Sequence, residues 1–237
     1  MFLFIRILWK IGFPPFHFWF FRLRIDLNWI IFLILSTWQK ILPLFILRKL
    51  YLQNWEFIIL LSLLIVISGS LFQVRIKKLI IFSSIFTATW ILTSILYYIF
   101  MWFYILFIYR ILLIIFISFL TINRFELKER QNYYTLNLNI KIIQFFILLT
   151  IAGIPPFVGF YIKTIILVSL TLNNSNILLL ILVISSIFII YIYTRLFLIS
   201  LRMYNTNNKI LFNFYSISRF LLFIFFIFYS PILFLII

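Results

Sequence analysis

Apolar residues fill this chain in blocks long enough to cross a bilayer, separated by short basic connections. A transmembrane helix needs about 20 apolar residues, and on that ruler the sequence predicts eight spans, roughly 2–20, 28–50, 56–74, 77–96, 98–122, 141–171, 176–201 and 211–236. The break between the fourth and fifth carries no helix-breaking residue, since 77–122 holds neither Gly nor Pro. One continuous helix there would run on the order of 70 Å at 1.5 Å per residue, about twice a bilayer, so a break is required. Tyr97, Tyr98 and Trp102 read as interfacial aromatics marking it. The sixth stretch is too long for one straight crossing and is interrupted by Gly153, Pro155 and Pro156. It is expected as a broken helix, unwound within the membrane and stabilised by its neighbours. Pro14 and Pro15 predict a second break in the first span. The expected fold is therefore all-α, a polytopic transmembrane helix bundle of about eight spans, with residues 1–237 as one transmembrane domain.

Composition agrees. The chain is 66% hydrophobic and 10% charged, with mean hydropathy +1.25. A soluble domain of this size has no interior large enough for that much apolar surface. There is no cysteine, which excludes disulfides, thiolate-held iron–sulfur clusters and Cys-based zinc sites. One histidine and four carboxylates make no metal cluster. Many Phe, Ile, Asn, Lys and Tyr against 4 Gly suggest AT-rich codons, as in an organellar genome. Met1 leads straight into Phe-Leu-Phe-Ile with no basic region or small-residue cleavage site, so no signal peptide is expected.

The net charge of +16 forms no basic stripe, so it reads as orientation signal rather than a nucleic-acid surface. The connections after spans one, three, five and seven hold Arg22, Arg24, Arg75, Lys77, Lys78, Arg124, Lys128, Arg130, Lys141, Arg202, Lys209 and Arg219. Those after spans two, four and six hold only Arg48 and Lys49. The basic side should face the cytoplasm-like compartment, with both termini opposite.

Candidate chemistry lies in three lysines inside apolar stretches, Lys10, Lys40 and Lys163, each with a proline close by. A charged side chain at mid-bilayer costs about 2.5–3.5 kcal/mol even on the lenient insertion scale, which makes each a functional-site candidate. A proline at position i frees the carbonyl of residue i−4. Pro14 frees that of Lys10, Pro43 that of Gln39, and Pro155 and Pro156 those of Ile151 and Ala152. Such carbonyls need water or a donor, and hydration beside a titratable amine suits a proton path. Burial lowers a lysine's proton affinity towards neutrality, whereas arginine stays charged, so the lysines rather than Arg110 or Arg195 form the relay set. The bland alternative is a structural lysine bound to a freed carbonyl. His17 is a candidate for proton uptake or release, or an interfacial cap. Asp26, Glu56, Glu126 and Glu129 all fall in or beside loops, so no carboxylate lies deep in a span.

These segments resemble the subunit 2 family of respiratory complex I, the proton-pumping NADH–ubiquinone oxidoreductase. Lys10-x-Gly-x-x-Pro-Phe-His-Phe-Trp19 is similar to that family's first lysine helix, and Thr37-Trp-Gln-Lys40 to its second. Arg75-Ile-Lys-Lys-Leu-Ile-Ile-Phe-Ser-Ser84 resembles the basic turn and Ser-Ser of the next helix. Gly153-Ile-Pro-Pro-Phe-x-Gly-Phe-x-x-Lys163 resembles the broken helix with the third lysine, and Tyr191-x-Tyr-x-Arg195 the span after it. The likeness covers essentially the whole chain in order. Phe16-His17-Phe18-Trp19, and a lysine at 163 where subunit 4 usually has glutamate, favour subunit 2 over the related antiporter-like subunits.

The resemblance implies the C-terminal part of the antiporter-like fold and a proton relay through Lys10, Lys40 and Lys163. It implies no cofactor bound by this chain, with NADH, flavin, iron–sulfur clusters and ubiquinone handled elsewhere in the complex. The expected location is the mitochondrial inner membrane, with both termini on the intermembrane-space side. Expected partners are other membrane subunits of the complex, including a neighbouring antiporter-like subunit, and phospholipids. The chain is expected to be N-terminally truncated; either a separate polypeptide supplies the earlier helices and a glutamate near Lys10, or that Lys–Glu pair is lost. Thr87 stands where the family often has a histidine, and a hydroxyl orients water without holding a proton at neutral pH. A non-pumping scaffold of the membrane arm and a cation/proton antiporter component are the alternatives.

Overall fold

Two Gly-x-Pro-Pro-Phe sequences, 12–16 and 153–157, divide the first and sixth apolar blocks, and both end a helix in the same way. Gly12 has φ 82° and Gly153 φ 80°, a left-handed conformation that the absence of a Cβ makes cheap. The N–H of Phe13 bonds Leu8 O at 3.0 Å and that of Gly12 bonds Trp9 O at 3.2 Å. At the other break Ile154 bonds Leu149 O at 3.4 Å and Gly153 bonds Thr150 O at 3.2 Å. Each is a Schellman turn, in which two of the last carbonyls find donors and the following prolines prevent the helix from continuing.

The computed structural model describes residues 2–49, 55–73, 75–97, 101–122, 138–155 and 157–207. In chain order the helices are α1 (Phe2–Ile11), α2 (His17–Asp26), α3 (Trp29–Lys49), α4 (Trp55–Leu71), α5 (Ile76–Tyr97), α6 (Met101–Ile122), α7 (Leu138–Ala152), α8 (Val158–Leu172) and α9 (Asn176–Asn207). The pairs α1/α2 and α7/α8 are the two broken spans, and α3, α4, α5, α6 and α9 are continuous. The architecture is the expected helical membrane bundle. Helices α3, α5, α6 and α9 are each long and apolar enough to cross a membrane, while α4 and the halves of the sixth span are shorter. The eighth expected span, 211–236, lies outside the described residues, as do Tyr98, Pro156, Arg124, Glu126, Lys128, Glu129, Arg130, Lys209 and Arg219.

Helix α5 is the axis of the bundle. Its apolar window is 89% buried, against 39% or less for α3, α6 and α9, and it packs against α2, α3, α4, α6 and α8. Every residue from Leu79 to Ser94 is buried. Ser83, Ser84, Thr87, Thr89, Thr93 and Ser94 each turn the hydroxyl back to the carbonyl three residues earlier, at 2.6–3.3 Å. This satisfies the hydroxyls locally and lets neighbouring backbones approach a helix of small side chains.

Several charges expected in connections lie inside helices. α2 continues to Asp26 rather than ending near residue 20, so Arg24 falls on its buried face with His17 and Phe20. Lys77 is the second residue of α5 and is buried, donating to Ile25 O at 3.4 Å and Leu27 O at 3.2 Å at the end of α2. Lys141, in the first turn of α7, is also buried. Their helices begin earlier or end later than the apolar count alone implies, and long basic side chains can reach the terminal carbonyls of a neighbour. The fourth and fifth spans are separate helices, α5 described to Tyr97 and α6 from Met101, packed against each other. Trp102, expected at an interface, is buried and packs edge-on against Phe45 with ring centroids 6.4 Å apart.

Candidate functional site

Helical spacing puts Ser36, Thr37, Lys40 and Leu44 on the buried face of α3, opposite the Ser83–Ser84 step of α5. The Lys40 ammonium donates to Ser84 O at 2.7 Å and lies 5.4 Å from the centroid of Phe20 on α2. Lys40 is only 4% exposed, so its charge has no access to bulk solvent in this chain.

Lys163 reaches α5 from the other side. It shares the buried face of α8 with Ile166 and Leu170. Its ammonium stands over the rings of Phe86 and Trp90 at 4.7 and 5.0 Å. It donates to Ala152 O and, at 3.4 Å, to Ile151 O. These are the carbonyls that the Schellman turn and Pro155 leave without a backbone donor, so the donor expected from the sequence is the lysine itself. The site is the C-terminal, negative end of α7, where a cation is favoured. Gly153 permits the approach, because a Cβ there would sit 2.7 Å from Lys163 Cδ and 2.9 Å from Nζ.

One turn of α5 joins the two amines. Thr87 Oγ1 donates to the same Ser84 carbonyl at 3.3 Å and also lines a cavity of about 40 Å³ whose wall includes Lys163, Thr150 and Tyr109. A water needs roughly 10–15 Å³ of such space and several polar partners. The Tyr109 hydroxyl is buried without a hydrogen-bond partner, and the cavity walls are otherwise largely apolar.

The remaining sequence candidates divide. Lys10 is exposed: α1 ends one residue later, and the face turned to the core is that of Ile7, Leu8 and Ile11. Within this chain Lys40 and Lys163 are buried and Lys10 is not. His17 is buried at the start of α2 against Phe18 and Phe21, at 4.2 and 6.1 Å between centroids, and its Nδ1 closes no hydrogen bond. Arg110 stacks on Trp38 at 4.0 Å, with Nε and Nη2 unpaired. Arg195 donates to Gln73 O at 3.4 Å, tying α9 to the segment that follows α4.

One residue of this site was misassigned from sequence. Arg24 Nη2 donates to Leu35 O at 2.5 Å, its Nη1 to Ser84 Oγ at 3.4 Å, and its guanidinium lies 3.3 Å from the Phe20 centroid. The available signal was the spacing His17, Phe20, Arg24, three and four residues apart, which puts all three on one helical face.

Fold and site together define a polytopic membrane protein that holds basic side chains in its interior against backbone carbonyls and aromatic rings. Residues 1–189 match the family described as NADH:quinone oxidoreductase/Mrp antiporter, TM, and the chain belongs to that family. It is 37% identical over 210 residues to the NADH-ubiquinone oxidoreductase chain 2 of Aedes aegypti, covering 87% of this chain and 62% of the relative. It is 35% identical to the protein of the same name from Anopheles gambiae, with 90% and 67% covered. Against that of Locusta migratoria it is 30% identical, with 84% and 59% covered. The chain thus spans between 59% and 67% of the length of these relatives.

Proposed function

We propose that this chain is a membrane-arm subunit of the mitochondrial NADH–ubiquinone oxidoreductase and passes protons between Lys40 and Lys163 across α5. The relationship to the chain 2 proteins supports membership. The observation that carries the relay is the placement of both buried amines against α5, Lys40 at Ser84 O and Lys163 over the Phe86 and Trp90 rings, with Thr87 and the cavity between. Lysine can release its proton where arginine cannot, and a bridging water would carry it between them. Lys10, exposed on α1, would exchange with a neighbouring chain that also supplies its acidic partner. His17, with Nδ1 unpaired, is the candidate for uptake or release. Nicotinamide, flavin, iron–sulfur and ubiquinone chemistry would take place in other subunits. The inner-membrane location, with both termini facing the intermembrane space, belongs to the same reading.

A scaffold reading has one observation in its favour: Lys40 and Lys163 both donate to backbone carbonyls, as structural lysines do. Substitution of Lys163 by Met separates the two. Under the relay, native gels will show the variant chain co-migrating with NADH dehydrogenase activity, and protons moved per NADH oxidised will fall in sealed vesicles. General acid–base groups typically contribute about 10²–10⁴-fold, so a loss of at least tenfold in proton-coupled turnover is expected. An unchanged ratio in the assembled variant would leave the scaffold.

A further inference from the structure

Lys40 does not face α5 alone. Arg24 comes to the same place from α2, and the two cations share two partners. Ser84 accepts Lys40 through its carbonyl at 2.7 Å and Arg24 through its hydroxyl at 3.4 Å. The Phe20 ring has Arg24 at 3.3 Å and Lys40 at 5.4 Å from its centroid. Arg24 is 1% exposed and fastened at a third point, Leu35 O. Among the described residues the carboxylates Asp26 and Glu56 are exposed at helix ends, so neither is buried beside the pair.

An arginine remains protonated in proteins and is here fixed in place, whereas lysine can titrate. Like charges that close in a medium of low dielectric repel strongly, and the cost falls on the partner able to lose its proton. A site with a carboxylate would hold an arriving proton on Lys40. Among the described residues Lys40 instead shares Ser84 and Phe20 with the Arg24 guanidinium.

From this arrangement we infer that Arg24 is a positioning residue for Lys40, a fixed positive charge that makes the lysine a point of passage rather than of storage. Ser84 sets the distance between them: the hydroxyl holds the guanidinium on one side of α5, and the carbonyl holds the amine. The inference deepens the relay reading and rests on it.

The test uses the assembled complex in sealed phospholipid vesicles, with the rate of NADH-driven proton movement, protons moved per NADH oxidised and native-gel assembly as readouts. Four variants are compared: Arg24→Gln, Arg24→Lys, Lys40→Met, and Arg24→Gln combined with Lys40→Met. Arg24→Gln will slow proton-coupled turnover roughly tenfold, the scale expected for a buried charge interaction. Arg24→Lys, which restores a cation, will recover most of it. The double variant will lose no more than Lys40→Met alone, because Arg24 acts through that lysine. If Arg24→Gln assembles poorly, Arg24→Met takes its place, since its stem still covers Phe20. A further loss in the double variant, no loss in Arg24→Gln, or no recovery in Arg24→Lys overturns the role of Arg24 while Lys40→Met still shows the relay. Full pumping in Lys40→Met overturns the relay and this inference with it.

Discussion

Lys40→Met will assemble, oxidise NADH and lose most of its proton coupling. Lys40 is buried, and its amine ends on Ser84 O at 2.7 Å. Methionine is of similar length, flexible and apolar, and fills the same gap between α3 and α5 without carrying a proton. The Ser84 carbonyl keeps the Thr87 hydroxyl as a donor at 3.3 Å, so the exchange leaves no orphaned acceptor. What disappears is the titratable amine that α3 brings to that contact, and with it a step worth about 10²–10⁴ in rate. The measurement is protons translocated per NADH oxidised, set beside the amount of complex on a native gel. An assembled variant that pumps at the normal ratio would rule out passage through Lys40.

Gly153→Ala has the largest expected structural effect. The residue holds φ 80°, and a methyl group there would press on Lys163 Cδ at 2.7 Å and Nζ at 2.9 Å. The left-handed conformation costs a non-glycine residue about 1–3 kcal/mol. The side-chain conflict adds to that, and it is relieved only if the ammonium leaves the Ile151 and Ala152 carbonyls. The assembled complex should therefore melt at lower temperature and pump less per electron. Combining Gly153→Ala with Lys163→Ala tests the contact, because truncation removes Cδ and Nζ. The melting temperature should then drop by less than the two single effects summed. Simple additivity would show that Lys163 does not dock against Gly153.

Much of this architecture was readable along the chain. The continuous helices fall within a few residues of the apolar blocks, and the breaks fall at the two Gly-x-Pro-Pro-Phe sequences, because helix length in a bilayer and the missing proline N–H are local constraints. Even the donor needed by Ile151 and Ala152 was implied by Pro155 and Pro156. The site was only partly readable. Lys10, Lys40 and Lys163 look alike in sequence, each a lone amine among apolar residues, yet the fold buries two and leaves one on the outside. Arg22 and Arg24 both resemble loop charges; α2 continues through them and turns only Arg24 towards α5.

What the sequence determined by itself was a helical membrane protein, where its helices run, and where two of them break. Those properties depend on apolar length, glycine and proline within a stretch of neighbouring residues. Only the tertiary structure decided which basic side chains meet, because burial depends on what a neighbouring helix lays over each face. Lys40, Arg24 and Ser84 come from α3, α2 and α5, with Arg24 and Ser84 60 positions apart in the sequence. Their encounter is set by how those helices cross, and no spacing within a single helix encodes it.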